Sequence, residues 1–116
     1  MSNKPDFDKD KANKLFGTEY NNGIFPLLEK PDRSDEETEK MIQMAFASTL
    51  HWSEYSGCKY ANRVRGINMI ATALAYAGRK ESSLYYARKN FEMVTDKPAE
   101  VEDFDVSFML MQYARA

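Results

Sequence analysis

Residues Arg63 to Val94, RVRGINMIATALAYAGRKESSLYYARKNFEMV, decide how this chain folds, because they read as two amphipathic helices of nearly equal length turned back at Ala77-Gly78. Before the glycine, Val64, Ile67, Ile70, Ala71 and Leu74 recur at helical spacing, and after it Leu84, Ala87, Phe91 and Val94 do the same. Gly78 supplies the positive φ that ends the first helix. A hairpin of this kind cannot bury its apolar stripe alone, so the expected architecture is a solenoid or bundle of helix pairs. The pattern names no reaction.

Toward the N-terminus lies the clearest start signal. Ser34 with Glu37 three residues on forms a capping box, and Asp35, Glu36 and Glu37 place negative charge at the positive helix end. This helix is expected from about Asp35 to Tyr55, closed by Gly57, with a stripe of Met41, Ala45, Ser48, Trp52 and Tyr55 widened by Ile42, Phe46 and Leu50. Trp52 is expected in the core, joining this helix to the next. Residues 6 to 16 suit a short helix that Gly17, Asn21-Asn22-Gly23 and Pro26 interrupt, and Ile24 to Lys30 resumes as a short apolar turn or helix ending at Pro31. Toward the C-terminus, the hairpin helices (about 60 to 77 and 80 to 95) are followed by a last helix over 99 to 116, its stripe Val101, Phe104, Phe108 and Met111. The reading is all-α, an antiparallel stack of helix hairpins in one domain over 1–116, with an irregular segment 1–30 and a repeat-like core 34–116.

A chain of 116 residues buries roughly 65% of its unfolded surface, enough for a core without disulfides or metal. It has no apolar run approaching the about 18 residues of a membrane span, and MSNKPDFDKDK is too polar for a secretory signal. The lone Cys58 excludes an internal disulfide and suits a reducing compartment, so a cytoplasmic location is expected. The formal charge of -2 hides a pattern. Lys59, Arg63, Arg65, Arg79, Lys80, Arg88 and Lys89 face the single acid Glu81, while acidic residues dominate both flanks. The 59–89 hairpin is thus either an anion or nucleic-acid surface, or a basic layer that acidic neighbours neutralise; the absence of a basic-aromatic stripe favours neutralisation.

Shifting the chain by 34 residues sets Ile67 on Val101, Ile70 on Phe104, Leu74 on Phe108 and Ala77 on Met111, which is the tetratricopeptide period. Ala45, Ser48, Trp52 and Tyr55 likewise keep the spacing of Leu84, Ala87, Phe91 and Val94. The segments 27 to 52, 62 to 94 and 102 to 116 resemble a widespread, largely bacterial family of small tetratricopeptide-like proteins without an established activity. The resemblance lies in Pro31-Asp32-Arg33, Ala45, Ala47-Ser48, His51-Trp52, Asn62, Arg65-Gly66, Gly78-Arg79, Ala87-Arg88, Asp103-Phe104-Asp105 and Ala114-Arg115-Ala116. It implies a fold rather than a chemistry. This chain departs from its relatives at Phe46, where they show histidine, at Ile67-Asn68, where they show glutamate-tryptophan, and at Ala71-Thr72, where a serine-arginine pair is common. Those departures remove polar groups and argue against catalysis. Relatives also continue past Ala-Arg-Ala into a further helix, which leads to the expectation of an apolar face on the last helix and a homodimer through 99–116.

The candidate binding surface comprises Ser48, His51, Asn62, Arg63, Arg65, Asp103 and Asp105. His51 is the only histidine, and Asp103 or Asp105 approaches it if the helices stack as repeats. Arg65 suits a bidentate grip on a carboxylate, internal or foreign, and is expected to meet Asp103 or Asp105. Tyr85 and Tyr86 with Tyr76 are read as one aromatic group. No HxxxH, CxxC, Walker loop or GxSxG spacing is present, so no catalytic residue, metal or cofactor is expected. The expected function is non-enzymatic binding of a protein or peptide segment on a concave face lined by the second, third and fifth helices. The alternative is a small-ligand binder or minor enzyme centred on His51, Arg65 and Asp103 or Asp105.

Overall fold

The computed structural model describes residues 7–115, with the backbone alone at Ala114 and Arg115; the expected helix start at Asp6 and the closing Ala116 lie outside these. Among the described residues there are five α-helices and no strand: α1 Lys9–Glu29, α2 Asp35–Glu54, α3 Tyr60–Tyr76, α4 Lys80–Asp96 and α5 Asp103–Arg115, with a 3-10 turn at Pro98–Glu100. Each helix lies against the next in sequence, and α3 touches all four others. The result is a slab of 56 × 39 × 20 Å.

The local signals act as the sequence suggests. Gly78 takes φ 77°, Arg79 N donates to Leu74 O at 2.9 Å and Gly78 N to Ala75 O at 3.0 Å, a full Schellman turn between α3 and α4. At the start of α2, Glu37 N donates to Ser34 Oγ at 3.1 Å and Ser34 N to Glu37 Oε1 at 3.0 Å, completing the capping box. Val64, Ile70, Ala71 and Leu74 on α3 and Ala87 and Val94 on α4 are buried.

The N-terminal reading is corrected. Residues 9–29 form one unbroken helix that runs through Gly17, Gly23 and Pro26. Close packing on α2 overrides the local breakers: a Cβ on Gly17 would sit 2.7 Å from Trp52 Cδ1, and Ser48 Oγ donates to Gly17 O at 2.7 Å. The glycines therefore let α1 approach, and the approach in turn buries enough surface to hold the helix together. Trp52 accordingly packs on α1 and is half-buried, whereas Phe46 and Leu50, expected to widen the buried stripe of α2, are 39% and 58% exposed.

The last helix is corrected too. It begins at Asp103 rather than 99, because Pro98 opens a separate 3-10 turn. Its expected stripe is turned outward: Phe104, Phe108 and Met111 are close to half exposed, and Asp105, Met109 and Gln112 are buried instead. Helix α5 packs chiefly on α4 and α3.

Two apolar clusters hold the stack. Ile24, Met41, Ile42, Ala45, Ile70, Ala73 and Leu74 join α1, α2 and α3, while Val64, Val94 and Met109 join α3, α4 and α5. Buried polar side chains tie paired helices through main-chain carbonyls: Ser83 Oγ donates to Ala71 O at 2.9 Å and Asn90 Nδ2 to Val64 O at 2.8 Å. Arg33, in the α1–α2 turn, completes two helix ends at once. Its Nη1 donates to the carbonyls of Leu27, Leu28 and Lys30 at 3.0 to 3.3 Å, and its Nη2 to Tyr76 O at 2.8 Å.

Candidate functional site: a groove between α1, α3 and α5

Because α1 is a full helix, it takes the place of the first member of its own pair, and a groove of about 310 Å³ opens between α1, α3 and α5. Phe25 and Leu28 come from α1, Met69, Thr72 and Tyr76 from α3, and Phe104, Phe108 and Met111 from α5. The expected concave face of α2, α3 and α5 is corrected in one member, since no α2 residue lines the groove. The aromatic residues Phe25, Tyr76, Phe104 and Phe108 are each more than 40% exposed.

Arg65 and Asp105 meet at the edge of this groove. Arg65 Nε donates to Asp105 Oδ1 at 2.9 Å and Nη2 to Oδ2 at 3.1 Å, the bidentate form expected of an arginine-carboxylate pair. Asp105 also accepts from Glu102 N at 3.0 Å, so one carboxylate caps α5 and anchors it to α3. The Arg65 guanidinium lies 4.7 Å from the centre of the Phe104 ring. The hydrogen bond that Arg65 donates to the Asp105 carboxylate raises the Arg65 pKa, which keeps the guanidinium charged.

The other candidate residues do not gather there. Ser48 is buried under α1 on the Gly17 carbonyl. His51 Nδ1 lies 2.8 Å from Asn13 Oδ1, and its ring stacks on Tyr20 and tilts against Phe16, all of them on α1. Asn62 accepts from Lys59 N at 2.9 Å and so helps start α3, while Arg63 and Asp103 are exposed. His51 therefore belongs to the α1–α2 seam and Arg65 to the α3–α5 seam; the proposed convergence of His51, Arg65 and an aspartate is absent among the described contacts. No group of three His, Cys, Asp or Glu able to hold a metal ion occurs among the described residues. Nor is any described helix long and apolar enough to cross a membrane.

Two of the basic residues of the 59–89 hairpin form ion pairs, and Lys59, Arg63 and Lys80 stay exposed. Arg65 pairs with Asp105 and Arg79 with Glu39 of α2, and Arg88 and Lys89 share their face of α4 with Glu81 and Glu92. Tyr85 stacks edge-on with Tyr86, and Tyr86 with Phe46, whereas Tyr76 lies at the groove beneath Arg33.

Sequence reasoning passed over three groups. Asn13 is the partner of His51, and Asn68 and Gln112 line the groove with polar atoms sealed from solvent. The readable signal was an amide set within an apolar stretch, INMIA for Asn68 and LMQYA for Gln112. Comparison with protein-family models, with characterised proteins and with solved structures finds no match for this chain, so the geometry carries the functional argument.

Proposed function

We propose that this protein is a non-enzymatic, tetratricopeptide-like interaction module that holds a segment of another protein in the groove between α1, α3 and α5. One observation carries the reading: Phe25, Tyr76, Phe104, Phe108 and Met111, from three separate helices, converge half exposed on one concavity. A contiguous apolar concavity with a few polar groups is the usual form of a recognition site. The single cysteine suits a cytoplasmic setting.

The test is site-specific photo-crosslinking in the native host, with a benzophenone side chain at position 108 in the groove or at position 85 on the opposite layer. A discrete adduct from 108, abolished by Met111→Glu, supports the reading. Adducts from 85 alone, or none from 108, overturn it. Pairing of two copies through α5 is the second reading, favoured by Leu110, which is 55% exposed and outside the groove. A strict monomer in sedimentation at micromolar concentration removes it.

A further inference from the structure

Arg65 is the one charge that the groove shows to solvent. Of the residues lining it, only Arg65 and Asp105 are charged, and the aspartate side chain is 1% exposed against 41% for the arginine. The ion pair takes up one edge of the guanidinium. Nε and Nη2 donate to Asp105, while Nη1 has no hydrogen-bond partner among the described residues. A guanidinium is a planar fork of five N–H donors, so a second edge, Nη1 with the remaining hydrogen of Nη2, is left for another planar acceptor. The group is also held from two directions, by the Asp105 carboxylate at 2.9 to 3.1 Å and by the Phe104 ring with its centre 4.7 Å away. Its orientation is set before a ligand arrives, which reduces the ordering cost of binding.

We propose that this second edge of Arg65 binds the side-chain carboxylate of an aspartate or glutamate in the partner segment, whose neighbouring apolar side chains fill the aromatic part of the groove. This rests on the groove reading above and specifies the chemistry of the partner. Asp105 balances the guanidinium from inside the fold, with its own oxygens taken by Arg65 and by Glu102 N. A lysine arriving at the groove would meet a like charge, and an amide would gain a weaker hydrogen bond than a carboxylate does. Glu102 also acts on Arg65, but less than Asp105 does and from an exposed position outside the lining. An acidic side chain fits better than a chain end, because capture of a terminal carboxylate uses a nest of main-chain N–H groups. This groove is lined by side chains of helices, whose N–H groups are mostly spent within those helices. Arg65, Met69, Thr72 and Tyr76 share a face of α3, so the fork and the far aromatic end lie roughly 16 Å apart at about 1.5 Å per residue. The partner therefore carries its acid near one end of the bound stretch and an aromatic or branched residue toward the other.

The test uses the full chain and an array of dodecapeptides built from Phe, Leu, Ser and Asn, acetylated and amidated, each made with Glu, Gln or Lys at one position. A second set has no acidic side chain and a free C-terminus. Affinities are measured at low and high salt for the original protein, Arg65→Leu, Phe108→Glu and the control Lys80→Leu, which removes an exposed charge outside the groove. Glu peptides should bind roughly ten-fold or more tighter than their Gln counterparts, with a ratio that shrinks in salt, and Lys peptides should bind most weakly. Arg65→Leu should bring that ratio close to unity, and Lys80→Leu should leave it. Where Arg65→Leu does not fold, Phe108→Glu decides. It puts a rival carboxylate in the groove at a half-exposed position, leaves both members of the ion pair in place, and should weaken Glu peptides more than Gln peptides. Peptides that bind in the groove without regard to charge, or an acid preference that survives Arg65→Leu, overturn the Arg65 assignment and leave the groove as a binding site. Selection of the free C-terminus over the acidic side chain overturns the assignment too. No peptide bound, binding indifferent to Phe108→Glu, or a second copy of the chain occupying the groove overturns the groove reading itself.

Discussion

Arg65 and Asp105 stand 40 residues apart and form a two-pronged ion pair in which only one partner has left the water: the aspartate side chain is 1% exposed, the arginine 41%. Removing Arg65 strands a buried carboxylate with the Glu102 N–H as its remaining partner. Breaking a fully buried pair costs about 3 to 5 kcal/mol; the hydration kept by this arginine reduces the expected cost of Arg65→Leu to about 2 kcal/mol. In a urea-denaturation cycle, Arg65→Leu with Asp105→Leu should cost less than the sum of the single changes by about 1 kcal/mol or more. Strict additivity would show that the pair contributes nothing of its own.

Gly17 and Trp52 make a prediction with a change of sign. Alanine at 17 puts a methyl 2.7 Å from the indole Cδ1 and 3.0 Å from Nε1, so Gly17→Ala should destabilise by about 1 to 2 kcal/mol despite its better helix propensity. In a Trp52→Ala background the clash is gone, and the same substitution should stabilise by up to about 1 kcal/mol. Emission of the single tryptophan reports the displaced ring in the first case. A destabilising Gly17→Ala in both backgrounds would mean that something other than the indole resents the methyl.

The capping box of α2 should respond to acid. Lys30 Nζ, 2.6 Å from Glu37 Oε2, and then the Ser34 N–H lower the Glu37 pKa from 4.5 to about 2. The folded chain thus binds this proton more weakly than the unfolded chain, so the contribution is complete above pH 4.5 and disappears as pH falls through about 2. Ser34→Ala is expected to cost about 1 kcal/mol at neutral pH. The stability gap between the original protein and Glu37→Gln should close across that acid window, and a gap that persists unchanged below it would exclude the ionised cap.

Treatment with a chelator is expected to leave the helical circular dichroism signal and the melting midpoint unchanged. A fall of several degrees, restored by a divalent ion, would point to a site built around His51.

The parts of the fold that were legible in the sequence are those that short-range chemistry decides. Gly78 and the Ser34–Glu37 box act within a few residues, and the apolar spacing of α3 is satisfied from several sides because α3 is the central helix. Helix α1 was not legible. Gly17, Gly23 and Pro26 are local breakers, and only contact with α2, through residues such as Ser48 and Trp52, reveals that two of them are approach points. The register of α5 was misjudged for a related reason. Hydrophobicity alone puts Phe104 and Phe108 inward, but a carboxylate that finds Arg65 and an N-terminal N–H can be buried in their place. The pairing of Arg65 with one of the two aspartates was readable from the repeat offset; the separation of His51 from that pair was not, since it depends on α1 being a whole helix.

The four hydrogen bonds of Arg33 give the groove a mechanical character. One planar side chain joins the C-terminal ends of α1 and α3, so these two walls share a vertex near Tyr76. Width near the vertex is then set by the size of a guanidinium, whatever occupies the rest. Loss of Arg33 would leave the last carbonyls of both helices without their shared donor and the groove without a tie at that end.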